Sequence, residues 1–394
     1  MARKILSLLG KIVIVAAIAF LLIWIKTGRK IGINPSQPMQ SAQEVSSQVE
    51  QLPQKINPKV INFKWAYNKK NYAITETLYG SIYDFYRTKP KEFEYQGMLP
   101  DDWKEKYFSM FLQVADGDDA VQTIADDIKQ AGLKNGLSND QLAELVVSFV
   151  QAMPYDDARA KKILSGQGSG LTNYPYETLY EGKGVCSDKS FLAYLLLKDL
   201  GYGASLFVYE SENHMAVGVQ CSIQYSSYES GYCYAETTTV GGKIGMIPSL
   251  NAQNNQAQTI KKLNYYGQQE QFDVKNLGPV EIYEKISGNT YAGIISTLKI
   301  SQRIDTLSRL IISEKKSLTA INSQINADKA DLKEMEKKLE KFSDADNYKD
   351  YNNLVPKYND LVSKLKKEIK DYNARVNTYN QKINEYNSLI ANFQ

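Results

Sequence analysis

Histidine occurs once in the 394-residue chain, at position 214, so any imidazole chemistry must run through one side chain. Upstream, Cys186 sits in Gly-Lys-Gly-Val-Cys-Ser-Asp-Lys; downstream, Glu236 sits in Tyr-Ala-Glu-Thr-Thr. Cysteine, histidine and carboxylate in this order supply a sulfur that can attack, a base that can serve it, and a third group that can orient the base. The elements that must position them are also legible. Residues 187–200 carry Phe191, Leu192, Leu195, Leu196 and Leu197 at helical spacing and end at Gly201. Cys186 should therefore open a helix, where unpaired N–H groups and the helix dipole favour a thiolate, with Asp188 opposing this. His214 opens the β-rich run 215–219, which follows another at 204–209, and Glu236 falls in a run at 231–238 that should pair antiparallel to it. A lone cysteine at a helix start is usually packing and a lone strand histidine usually structural; the ordered set is what points to chemistry. Zinc held by Cys186, Cys221, Cys233 and His214 has the right ligand number but lacks the close ligand pairs of structural zinc sites, and no cofactor is implied.

Several linked stretches resemble the transglutaminase-like cysteine-enzyme superfamily. They are Tyr-Pro-Tyr-Glu-Thr-Leu-Tyr at 174–180, Gly-Lys-Gly-Val-Cys-Ser-Asp-Lys at 182–189, Leu-Gly-Tyr at 200–202, His-Met-Ala-Val-Gly-Val at 214–219 and Tyr-Ala-Glu-Thr-Thr at 234–238. The resemblance covers roughly 138–240. It implies an α+β, papain-like core in which a cysteine-led helix packs on an antiparallel sheet. It also implies Cys186 as nucleophile, His214 as base and Glu236 as orienting carboxylate. Two positions depart from the family pattern: Val185 stands where bacterial relatives often have an acid, and Glu236 stands where Asp is commoner. The superfamily holds cross-linkers, amide hydrolases and non-catalytic members, so the resemblance fixes the fold better than the reaction.

The other cysteines bear on location. Residues 215–223 and 231–238 read as paired strands about a loop centred near Ser227, and a symmetric hairpin there sets Cys221 opposite Cys233. A cross-strand disulfide, leaving Cys186 as the odd free thiol, stands beside the alternative of two buried thiols. Disulfides persist in oxidising compartments, so a bridge would place this domain outside the cytoplasm.

Residues 12–25 form an unbroken apolar run. Fourteen helical residues span about 21 Å, short of the roughly 30 Å hydrocarbon core. Extending the run back to Ile5 gives a span of 5–25, with Lys11 near one end and Trp24 at the opposite interface. A cleaved signal peptide is the rival reading, but no small-x-small site follows the run. Basic residues flank both ends almost equally, so the charge rule does not set orientation. Residues 32–58, with Pro35, Pro38, Pro53 and Pro58 among Ser, Gln and Asn, read as a flexible linker.

Residues 59–135 read as a mixed α/β module of unknown role, with strand-like spacing at Phe63, Trp65, Tyr67, Tyr72 and Ile74, a strand or short helix at 78–86, and helices within 101–128. Ser138 should cap a helix from Asn139 to about Met153, stopped by Pro154. From Ile304 to Phe342 mostly apolar residues, with Glu314 an exception, recur at alternating steps of three and four; a polar break at 343–347 follows, and the pattern resumes from Tyr351 to Phe393. Such patterning predicts an antiparallel coiled-coil hairpin, with Pro356 near the first turn of its second arm or at a kink. The chain has 28 tyrosines, and those at seam positions of the second arm want hydroxyl partners.

The expected organisation is an anchor at 1–31, a linker at 32–58, the module at 59–135, a transglutaminase-like domain at 136–292 and the helical hairpin at 293–394. A net charge of +3 gives nucleic-acid binding no support. The sequence thus points to a single-pass, extracytoplasmic thiol enzyme acting on a peptide, protein or cell-envelope polymer, through acyl transfer or amide hydrolysis by a Cys186 thioester. The coiled coil would serve a partner or self-association. The alternative is a non-catalytic surface scaffold on the same fold.

Overall fold

The computed structural model describes residues 51–95, 98–167, 171–251, 257 and 274–393. The apolar run at 5–25 and the linker up to residue 50 lie outside the described residues. Among the described residues no helix is long and apolar enough to cross a membrane. The described residues form two compact units, divided after Thr297.

The first unit opens with a hairpin of β1 (Pro58–Tyr67) and β2 (Lys70–Tyr79), in which Tyr67 pairs with Lys70. Its two-residue turn holds Asn68 and Lys69 at positive φ, the turn geometry that matches strand twist. Phe63, Trp65, Tyr67, Tyr72 and Ile74 face inward at period two, and Phe63 and Trp65 meet the ring of Phe149 edge-on. The 78–86 stretch divides at Gly80, where β2 gives way to α1 (Gly80–Thr88). Helices α2 (Trp103–Leu112) and α3 (Ala120–Lys134) follow. Next comes α4 (Asn139–Ala152), whose N-cap Ser138 forms a capping box with Gln141. Residues 59–135, which the sequence sets apart as a module, share one compact unit with the residues that follow.

After α5 (Asp157–Lys162) and α6 (Pro175–Glu181) the chain reaches α7 (Cys186–Asp199). Gly201, with φ +82°, ends α7 by taking the left-handed conformation that glycine adopts without steric cost. Helix α7 lies against β3 (Ala204–Tyr209) and β4 (His214–Gln220). These two strands are the centre of an antiparallel sheet ordered β5-β4-β3-β8, with β5 at Tyr232–Ala235 and β8 at Glu281–Ile286. A short ladder of β6 (Leu250–Asn251) and β7 (Val274–Lys275) lies between them in sequence. Every residue of β3 is buried, so the strand is covered on both faces. One cover is an aromatic cluster of Phe207, Tyr209, Tyr232 and Tyr234 with Leu277, Val280 and Ile282.

Cys221 and Cys233 form a disulfide. The hairpin register differs from the symmetric one expected: Cys233 pairs with Val219, and the Cys221 N–H donates to Gly231 O at 2.9 Å. Strand β4 ends at Gln220, and two short 3-10 turns fill the connection, so the bridge joins Cys221, just past one strand, diagonally to a residue inside the next.

The second unit holds most of α8 (Ile294–Asp344) and all of α9 (Tyr348–Phe393). The polar break supplies the turn, with Asp346 at positive φ. The arms run antiparallel: Arg303 pairs with Glu385, Arg375 with Glu314 and Lys364 with Asp328. Ile304, Leu307, Ile311, Leu318 and Ile325 of one arm and Leu365, Tyr379, Ile383, Tyr386 and Ile390 of the other form the buried seam. Tyr358 finds a hydroxyl partner in Glu336 at 2.8 Å, whereas the Tyr379 hydroxyl is buried with none. Pro356 lies inside α9, where it removes one backbone hydrogen bond from the ladder.

Two outcomes are expected. The bridge closes a loop with a sequence separation of 12, so the double substitution Cys221→Ala, Cys233→Ala should cost about 3 kcal/mol on the chain-entropy account, read by urea denaturation. Spin labels at Arg309 and Gln381 should lie within about 25 Å of each other, against about 110 Å for one continuous rod at 1.5 Å per residue.

Candidate active site

Cys186 is the first residue of α7. Its backbone N–H is one of the orphan donors of a helix start, available to an oxyanion forming beside the sulfur. The approach to this turn is tightly packed. A Cβ on Gly184 would sit 3.1 Å from Asp188 Cβ and 3.2 Å from both Lys189 Cγ and Thr178 Cγ2. The main chain of 154–156 runs alongside: Gly184 N donates to Pro154 O and Asp156 N to Gly184 O, each at 3.2 Å. Asp188 does not face the thiol as a free charge. It is fully buried, accepts from Val185 N (2.9 Å) and Asn173 N (2.8 Å), and pairs with Arg159. Burial pushes its pKa up to about 6, against the pull of Arg159 and the two backbone donors.

His214 starts β4 directly after Asn213, whose left-handed conformation closes the β3–β4 turn. The Cys186 Sγ lies 3.8 Å from Asn213 O, which places the sulfur at the head of the strand that begins with the imidazole. The ring is fully buried. Its Nε2 lies 3.0 Å from Glu236 Oε2, while Nδ1 is buried without a hydrogen-bond partner. Hydrogen bonds of catalytic groups are often long in ligand-free enzymes, and Cys186 lies close enough to His214 to raise its pKa.

Glu236 sits one residue past the end of β5. Its Oε2 accepts from Tyr234 Oη at 2.5 Å as well as facing His214. Its Oε1 accepts from Thr237 N (2.9 Å), Thr238 N (2.7 Å) and Thr238 Oγ1 (2.7 Å). The extra methylene relative to aspartate lets the carboxylate fold back onto the N–H groups that follow it. Burial alone would raise its pKa, but the imidazolium and these donors outweigh burial and hold it low. Burial would likewise lower the His214 pKa; Glu236 first, and Cys186 with it, raise it above 6.5 instead. The Tyr234 phenol is pushed well above its ordinary value by burial and by Glu236, so it stays a donor. Both shifts favour the carboxylate–imidazolium form of the pair, a charge state suited to protonating a leaving group.

Cys186, His214 and Glu236 are thus brought together by α7, β4 and the end of β5. Around them stand residues that local sequence patterns did not mark. Gln151, 3 % exposed at the end of α4, donates to Glu236 O and Gly242 O, both at 2.8 Å, and accepts from Gly241 N. Lys189, fully buried one turn beyond Cys186, donates to Gln151 O and Met153 O. Burial lowers its pKa to about 7, with Glu236 and Cys186 pulling it back up. Ser190 ties α7 to Met215 O and Thr237 Oγ1. The Tyr155 phenol borders the site: burial, then the charges of Cys186 and Glu236, raise its pKa. The available signals were a lysine just before the apolar run of α7 and a glutamine at the end of an apolar helical face.

Because His214 is the only histidine, one imidazole resonance set reports this electrostatics directly. Nitrogen-15 NMR titration should show it protonated well above pH 6.5. Glu236→Gln removes the largest charge that raises it, so the midpoint should fall by more than one unit; Cys186→Ala should lower it less. A midpoint near 6.5 in the unsubstituted protein would contradict the ion pair.

Residues 121–226 match the family model described as a transglutaminase-like domain. The match takes in Cys186 and His214 and stops before Glu236. No curated protein and no solved structure matches the chain. Residues 121–226, which include α7 and the strand led by His214, are thus similar to the transglutaminase-like superfamily.

Proposed function

We propose that this protein is a thiol enzyme that transfers or hydrolyses acyl groups through a thioester on Cys186. The observation that carries this reading is the buried His214–Glu236 pair at the head of the strand beside the Cys186 sulfur. In the first half-reaction the sulfur attacks the carbonyl carbon of a peptide amide. The developing oxyanion meets the Cys186 N–H, and His214 gives its proton to the leaving amine as the C–N bond breaks. In the second half-reaction neutral His214 takes a proton from water or from an amine, which attacks the thioester. The sulfur leaves as thiolate beside the restored imidazolium. Glu236 and Tyr234 hold the ring in register throughout. A scaffold that merely binds has no need of a buried charge pair whose every oxygen is saturated.

We further propose that residues 5–25 anchor the chain in the cell membrane with this unit outside. The Cys221–Cys233 bridge supports that side, since such bonds persist where thiols are not kept reduced. The helical hairpin then serves self-association or a coiled-coil partner.

The test is incubation of the full chain with a mixed peptide library and a primary amine, with products read by mass spectrometry. Cys186→Ala and His214→Ala should each abolish product by at least about 10³-fold, and the double variant should be little worse, because groups that act as a unit are non-additive. Product formed equally well by Cys186→Ala would end the thiol reading.

A further inference from the structure

Beside the start of α7 lies a cavity of about 570 Å³, within the range of ligand pockets. Its lining is charged, and the state of those charges is uneven. The acids are all committed. Glu177 takes two 2.7 Å bonds from Lys91 and one from Tyr174 N. Glu181 accepts from Tyr83 Oη and Asn173 Nδ2. Asp156 pairs with Lys183 at 2.9 Å and caps Arg159 N.

Two cations of the lining are not committed in the same way, and a third, Arg159, is paired but keeps one N–H unsatisfied. Among the described residues Arg87 has a cation–π contact with Tyr83 and no ion pair, and Lys162 has no ionic partner. The Arg159 guanidinium pairs with Asp188 and lies 3.6 Å from Glu181 Oε2, while its buried Nε has no hydrogen bond and Asp156 Oδ2 is 3.9 Å away. A buried guanidinium N–H left without a partner costs free energy that an incoming acceptor recovers. The cavity lining therefore holds more cations than acids, and its carboxylates already have partners.

Its place relative to the thiol is set by chain connectivity. Lys183 lies three residues before Cys186, and Asp156 follows Tyr155, whose phenol borders the site. Arg159 also binds Asp188, which holds the Val185 N–H at the head of α7. The short connection from Lys183 to Cys186 is what would bring residues flanking the amide of a peptide bound at Cys186 to this cavity.

We propose that the cavity is a subsite for a carboxylate side chain of the acyl-donor peptide, received by Arg87, Arg159 and Lys162, so that the enzyme selects acidic peptides. The inference rests on the thiol reading above and names its substrate class.

The experiment uses the full chain and tripeptidyl vinyl ketones that differ at one position at a time, Glu against its neutral isostere Gln and against Lys. The readout is the second-order rate of adduct formation at Cys186. At one position the Glu probe should react about tenfold faster than the Gln probe, with Lys slowest. The Glu-to-Gln ratio should fall towards one in Arg87→Gln, Lys162→Gln and persist in Lys162→Arg; because it is taken within each variant, a general loss of reactivity cancels. A ratio near one at every position, with labelling still dependent on His214, would overturn this subsite and leave the thiol reading standing. A ratio that survives the double Gln substitution would also overturn it. Labelling indifferent to His214 would remove both.

Discussion

The buried carboxylate of Glu236 is the constraint to which the site answers. An ionised group in a protein interior is tolerated only when it is paired and hydrogen-bonded. Glu236 is both, through His214, Tyr234, two backbone N–H groups and the Thr238 hydroxyl. Each partner fixes something else. His214 is held as an imidazolium facing the sulfur. Tyr234 commits β5 to the aromatic cluster. The N–H groups of Thr237 and Thr238 require the chain to turn directly after the carboxylate. Removing one side of such a pair strands the other, at a cost of about 3–5 kcal/mol for buried charges.

Packing behind the site keeps that arrangement in place. Helix α4 ends against it, and Gln151 clamps the Glu236 carbonyl and the 241–242 loop at once. Lys189 satisfies two carbonyls at the end of α4, groups a helix terminus leaves unpaired. Together with Ser190, these contacts tie the helix that starts at Cys186 to the helix, strand and loop around His214 and Glu236. The disulfide adds a covalent link between the segments that follow β4 and form β5. The β1–β2 hairpin joins the same unit through the rings that meet Phe149 on α4. The hairpin, the helices and the sheet around Cys186, His214 and Glu236 thus belong to one compact unit.

Much of this was legible in the chain because it is local. The cysteine-led helix, its glycine stop, the Ser138 cap and the polar break between α8 and α9 are written within a few residues of where they act. The disulfide was legible too, but its register was not: the two 3-10 turns between β4 and β5 shift the pairing by two residues from a symmetric hairpin. What could not be read were interactions that tertiary packing creates. Nothing near Gln151 in sequence says that its amide meets the carbonyl of Glu236, and nothing near Lys189 says that its ammonium is buried. Asp188 was legible as a charge near the thiol; its engagement by Val185, Asn173 and Arg159 depends on segments up to 29 residues away. The anchor at 5–25 stays a reading of composition alone.

The account's central claim is that Cys186 becomes acylated with His214 as its proton partner. Intact-mass measurement of the full chain mixed with an activated ester, followed by peptide mapping, tests this most directly. The account expects one acyl group, on Cys186, removed by neutral hydroxylamine and absent in His214→Ala. Acylation that maps elsewhere, or that forms on Cys186 at the same rate without His214, would contradict it.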